Sequence, residues 1–265
     1  MALNEYEIKK MMCDVGKRIY DRNMVAANDG NISVKLNDNE FLCTPTGVSK
    51  GFMTPDYICK VDANGNVIQA NPGFKPSSEI KMHMRVYKER PDVKSVVHAH
   101  PIYATSFAIA GIPLTQPIMP EAVLGLGCVP IAEYGTPSTD EIPDAVSKYL
   151  QYFDAVLLEN HGALAYSDSL LGAYHKMESL EFYAHLLFNA KLLGGPKELS
   201  KEQVKRLYSM RSSYGLKGKH PADLCLNKGA SCPGCTTCTN DVSEAPADNA
   251  LVEEITKKVI AALGK

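Results

Sequence analysis

The chain has 265 residues, 45% of them hydrophobic and 22% charged, with a net charge of −2. That length buries a substantial core, and the composition excludes a disordered or fibrous protein. The near-neutral balance gives no electrostatic reason to expect nucleic acid as a partner, and no apolar run reaches the length of a membrane span.

The first residues, "MALNEYEIKK", lack the apolar core of a signal peptide, so a cytoplasmic protein with reduced cysteines is expected. Next, Ile8, Met12, Val15 and Ile19 recur at helical spacing and predict an amphipathic helix. "ANDGNISVKL" reads as a turn and a strand, and "EFLCTPTGVSKG" as a strand running into a Pro/Gly loop. "YICKVDANGNVIQ" predicts a hairpin around a two-residue Asn64-Gly65 turn. Ser77 is the expected N-cap of a helix that aligns Ile80, Met84 and Tyr87 and ends before Pro91. The strand "VKSVVHAH" follows, then a short helix near 102–110, a strand near 127–133 and a helix over 139–150. "FDAVLLENHGALAYS" predicts a buried strand, a turn and a second strand. The long helix after it stops at Gly194-Gly195, and a last helix spans 200–212. This order predicts a three-layer α/β domain over residues 1–215 with a largely antiparallel central sheet. No internal repeat is present.

Two histidines stand two residues apart in "VVHAHP", behind a pair of valines that favour extended backbone. In a strand, residues i and i+2 share a face, so His98 and His100 present parallel imidazoles, half of a site for a divalent metal. A plainer reading has one histidine ending the strand and the other solvated. His161, in the turn of "LLENHGALA", lies where a third ligand would come from a separate element; alone, it reads as a turn residue bonded to backbone. Three imidazoles around zinc leave a fourth position open for substrate.

Ser77 and Ser78 in "KPSSE" fall at a helix N-terminus, which favours a phosphate, although capping explains them as well. Glu79, expected in the first helical turn, can reach the same cavity. Gly30 and Asn31 in "NDGNIS", and Thr46 and Gly47 in "TPTG", are further anion-binding candidates.

Together "DGNISV", "TPTG", "PSSE", "VVHAHP" and "ENHGALA", in this order and spacing, resemble class II aldolases of the fuculose-phosphate type. That family also holds ribulose-phosphate 4-epimerases and the non-catalytic head of adducin, and the likeness runs from about residue 5 to 216. The resemblance implies one Zn2+ per chain on His98, His100 and His161, with Glu79 as the catalytic carboxylate. It implies phosphate binding at Gly30, Asn31, Thr46, Gly47, Ser77 and Ser78, a catalytic role for Tyr214 in "YGL", and a homotetramer. The implied reaction is reversible cleavage of a ketose 1-phosphate (L-fuculose or L-rhamnulose 1-phosphate) to dihydroxyacetone phosphate and lactaldehyde. Cleavage of a 5-deoxy- or methylthio-ribulose 1-phosphate and 4-epimerisation are the same-fold alternatives. Family epimerases usually carry aspartate where Glu79 stands. One departure is visible: "GIPLTQPIMPEAVLGLG" lacks the tyrosine that serves as proton donor in the aldolases, leaving Glu121 or Tyr134 to replace it.

Residues 216–247 form a Gly/Pro/Ser-rich linker in which Cys225, Cys232, Cys235 and Cys238 supply four thiolates. Their spacing suits a second zinc or an iron–sulfur cluster, and equally a linker without metal. Residues 248–265 place Leu251, Val252, Ile255, Val259, Ala262 and Leu263 on one helical stripe. Such a tail either docks on its own enzyme or binds a partner groove. It resembles the encapsulation peptides that attach enzymes to bacterial microcompartment shell proteins, which would place the protein inside such a compartment.

Overall fold

The computed structural model describes residues 4–223. The four clustered cysteines and the tail at 248–265 lie outside the described residues.

Eight strands form one sheet: β1 (Asn31–Lys35), β2 (Phe41–Cys43), β3 (Cys59–Val61), β4 (Val67–Gln69), β5 (Ser95–Ala99), β6 (Ile131–Ala132), β7 (Ala155–Leu158) and β8 (Gly162–Ser167). Their spatial order is β4-β3-β2-β1-β5-β8-β7-β6, and every pairing is antiparallel except β6 with β7. Among the described residues, seven α-helices accompany them: α1 (Glu5–Asp21), α2 (Ile80–Glu89), α3 (Ile102–Ile109), α4 (Pro120–Gly125), α5 (Glu141–Ser147), α6 (Leu170–Leu192) and α7 (Lys201–Met210).

Period-2 alternation sorts the central strands between two cores. Ile32, Val97, Ala99, Leu157 and Ala165 pack with α1, α3 and α6, whereas Val96, Val156, Leu158, Leu164 and Tyr166 pack with α2 and α5. The result is the three-layer α/β domain with a mostly antiparallel sheet that the pattern predicts. Among the described residues, no helix is long and apolar enough to cross a membrane. Side-chain packing continues past α7, where His220 and Ala222 are buried and His220 Nε2 lies 2.9 Å from the Val123 carbonyl.

Three local expectations are corrected. The β3–β4 connection is longer than a two-residue turn, because Asp62 Oδ1 accepts the Asn64 and Asn66 amides, each at 2.8 Å, and organises the loop itself. The strand near 127–133 shrinks to β6, because Val129 exchanges backbone hydrogen bonds with Leu114 outside the sheet. Ser77 is not the N-cap of α2: Glu79 holds that position, without a side-chain cap. The Ser77 amide donates to the Thr44 carbonyl at 3.1 Å, which ties this segment to the "TPTG" loop and delays the helix by two residues. The long helix ends as expected, with the Gly195 amide reaching back to the Ala190 carbonyl at 2.9 Å and both glycines at positive φ.

Candidate active site

Strand register assembles the site. His98 on β5 lies directly opposite Asn31 on β1 and Leu164 on β8, so all three side chains share the face covered by α2. His100, two residues on, follows the same face, and its amide is anchored to the Met24 carbonyl at 2.8 Å. His161 arrives in the tight β7–β8 turn, where Asn160 takes positive φ, a conformation asparagine tolerates better than most residues.

Gly162 lets that turn close on β5. A Cβ there would lie 2.6 Å from the Ala99 carbonyl oxygen and 2.6 Å from His100 Cδ2. Gly162→Ala is therefore expected to push His161 away from the pair. Elemental analysis should find less bound divalent metal than in the parent protein; unchanged metal content would show that the turn adjusts.

The histidine ligand atoms lie within 4.8 Å of one another, with His98 Nε2 and His100 Nε2 at 3.2 Å. Ligands about 2.0–2.1 Å from a tetrahedral zinc stand roughly 3.3 Å apart. The opposite ring nitrogens are occupied: His98 Nδ1 donates to the Ala163 carbonyl at 3.0 Å, and His100 Nδ1 faces Asp29 Oδ2 at 3.4 Å. That tautomer points two lone pairs at each other, an arrangement a cation between them resolves. The residues fit a divalent metal.

Burial pushes the His98 imidazole down to about 3 and also lowers His100, which keeps both rings in the neutral, ligating form. Glu79 stands beside them. Its Oε2 accepts from Asn31 Nδ2 at 2.8 Å and lies 3.5 Å from His98 Nε2, while Oε1 lies 3.2 Å from His161 Nε2. Burial alone would raise this carboxyl. The hydrogen bonds from His161 and from the Asn31 amide act against it and hold Glu79 below the usual carboxylate range.

The three candidate anion loops also meet. The Ile32 amide donates to Thr44 Oγ1 at 3.1 Å, the Thr44 carbonyl accepts from Ser77, and the Thr46 amide donates to the Lys75 carbonyl at 2.9 Å. Gly30 and Gly47 both sit at positive φ. A Cβ on Gly30 would come within 2.9 Å of the His98 carbonyl oxygen, so glycine is what lets this loop lie against β5.

Tyr214 is not brought to this cluster within one chain. It is exposed, and its neighbour Gly215 lines a cleft with Ser167, at the far end of β8 from His161. Glu121 and Tyr134 are also exposed, and the Tyr134 amide donates to Glu159, two residues before His161. Sequence reasoning missed Asp29 and Lys50. Asp29 adjoins Gly30 in a loop already singled out, but its partner His100 is remote in sequence.

Residues 10–188 match the family described as Class II Aldolase and Adducin N-terminal domain. The chain belongs to that family and is an enzyme. It is 34% identical over 168 residues to the L-fuculose phosphate aldolase of Methanococcus maripaludis, covering 63% of this chain and 89% of that one. It is 33% identical over 184 residues to the 3-oxo-tetronate 4-phosphate decarboxylase of Haemophilus influenzae, covering 68% and 86%. A solved L-fuculose 1-phosphate aldolase superposes with a TM-score of 0.72 at 30% identity, covering 80% of this chain and 98% of that one.

Proposed function

We propose that the protein is a zinc-dependent aldolase that reversibly cleaves L-fuculose 1-phosphate, or a close ketose 1-phosphate, to dihydroxyacetone phosphate and lactaldehyde. The observation that carries this reading is the Glu79 carboxylate beside three converging imidazoles, hydrogen-bonded to the loop that begins at Gly30. His98, His100 and His161 would hold one divalent ion, whose Lewis acidity suits an α-hydroxy ketone because it stabilises negative charge on the two oxygens.

The chain's own residues supply the rest. The loops around Gly30, Thr46 and Ser77 anchor the phosphate, which leaves C3 of the ketose near Glu79. When the C3–C4 bond breaks, its electron pair stays with C3. Glu79 then returns a proton to C3, and withdraws it again in the condensation direction. The proton leaving the C4 hydroxyl needs a separate acceptor. Glu121, Tyr134 and Tyr214 are exposed groups that would serve a neighbouring subunit in a homotetramer.

The similarity to a 3-oxo-tetronate 4-phosphate decarboxylase supports a second reading. Loss of carbon dioxide from that acid leaves the electron pair on the carbon next to the ketone, and protonation there again gives dihydroxyacetone phosphate. Both reactions thus pass through the same charge distribution and need the same proton from Glu79. Release of dihydroxyacetone phosphate therefore cannot separate them; the other fragment must be measured. Incubation with L-fuculose 1-phosphate is expected to give lactaldehyde in equal amount to dihydroxyacetone phosphate, with no carbon dioxide from 3-oxo-tetronate 4-phosphate. The reverse pattern would make the enzyme a decarboxylase.

A further inference from the structure

The loop at 28–31 follows α1 and leads into β1, and the loop at 44–48 follows β2, yet one side chain holds both. Lys50 opens a short 3-10 turn after "TPTGVS", and it is only 1% exposed. Its Nζ donates to the Asn28 carbonyl at 3.0 Å and to the Val48 carbonyl at 2.7 Å. Asn28 leads directly into Asp29, which faces His100, and Asn31, which donates to Glu79. Val48 directly follows Thr46 and Gly47. Gly16 makes this burial possible, since a Cβ there would lie 2.9 Å from the Lys50 carbonyl oxygen. Glycine inside a helix costs about 1 kcal/mol relative to alanine, and close approach of the Lys50 turn accounts for its place in α1.

A buried ammonium is expensive, and a neutral donor would suffice to tie two carbonyls. Burial lowers Lys50 to about 8, while the Asp29 and Glu79 carboxylates oppose that shift. Those same carboxylates would repel a phosphate dianion bound between the loops. We propose that Lys50 is a positioning residue for phosphate: it fixes the spacing of loops 28–31 and 44–48 and offsets the carboxylate charge beside the bound anion. The proposal rests on the reading of these loops as the phosphate site.

The test uses the zinc-loaded protein, with inorganic phosphate as the probe in isothermal titration calorimetry. Lys50→Met keeps the chain length and removes the donors and the charge. Its phosphate affinity is expected to fall by at least about tenfold, the scale of one lost charged contact, with zinc still at one per chain. Lys50→Gln retains a donor without the charge and should fall between Lys50→Met and the parent. If Lys50→Met does not fold, the Gln variant carries the test. A purely structural lysine would lower the unfolding midpoint and leave phosphate affinity unchanged in whichever variants fold, and that result overturns the proposal. A parent enzyme that binds no phosphate would instead overturn the loop assignment on which it rests.

Discussion

Glu79→Gln is expected to lower kcat by about 10²–10⁴-fold while the protein keeps its zinc. The amide preserves the side-chain shape, and its oxygen can still accept from Asn31, where the carboxylate is held at 2.8 Å. It cannot take or return a proton at the reacting carbon. His98→Ala gives the contrasting result. It removes one of the three candidate ligands and the bond to the Ala163 carbonyl, so metal content and turnover should fall together. Steady-state kinetics and elemental analysis on the two purified variants separate these roles. A Glu79→Gln enzyme with a raised KM and intact kcat would make Glu79 a binding residue rather than the proton carrier.

The largest stability effect is expected far from the histidines, at Asp154. This residue is 5% exposed, and its two oxygens accept from Arg90 Nη2 at 2.7 Å and Lys176 Nζ at 2.5 Å. Arg90 also donates to the Leu150 and Phe153 carbonyls, at 2.9 and 3.0 Å, where the chain enters β7. Asp154→Asn leaves a buried guanidinium and an ammonium facing a neutral amide. Breaking a buried pair in this way costs about 3–5 kcal/mol. For a domain of this size that corresponds to a Tm lower by roughly 6–20 °C. Thermal unfolding followed by circular dichroism measures it; a change of less than about 1 kcal/mol would show that water or Asp92 compensates the two cations.

The convergence of the candidate metal ligands was legible because it depends on local rules. Valines before His98 set an extended backbone, period 2 put His98 and His100 on one face, and the Asn-His-Gly turn marked the third histidine of the cluster. The Gly194-Gly195 pair marked the end of α6, and the long periodic stripe of α1 made that helix legible for the same reason. The entrance to α2 was not. Ser77 has the chemistry of a cap, but its amide is committed to the Thr44 carbonyl, 33 positions earlier, and that bond moves Glu79 to the N-cap position. The short strand β6 was overestimated because Val129 pairs with Leu114 instead of with the sheet.

The sequence by itself determined the chemistry on offer: three imidazoles, a carboxylate and three small-residue loops, each placed by a local pattern of a few residues. Only the tertiary structure decided how they meet. Pairing of Asn31 with His98 across β1 and β5 puts the amide beside Glu79. Close approach at Gly162 brings the β7–β8 turn onto the histidine pair, and Lys50 joins two loops through backbone carbonyls. These contacts lie outside what periodicity can encode, because carbonyl acceptors are the same in every residue and strand register is fixed by the packing of the whole sheet.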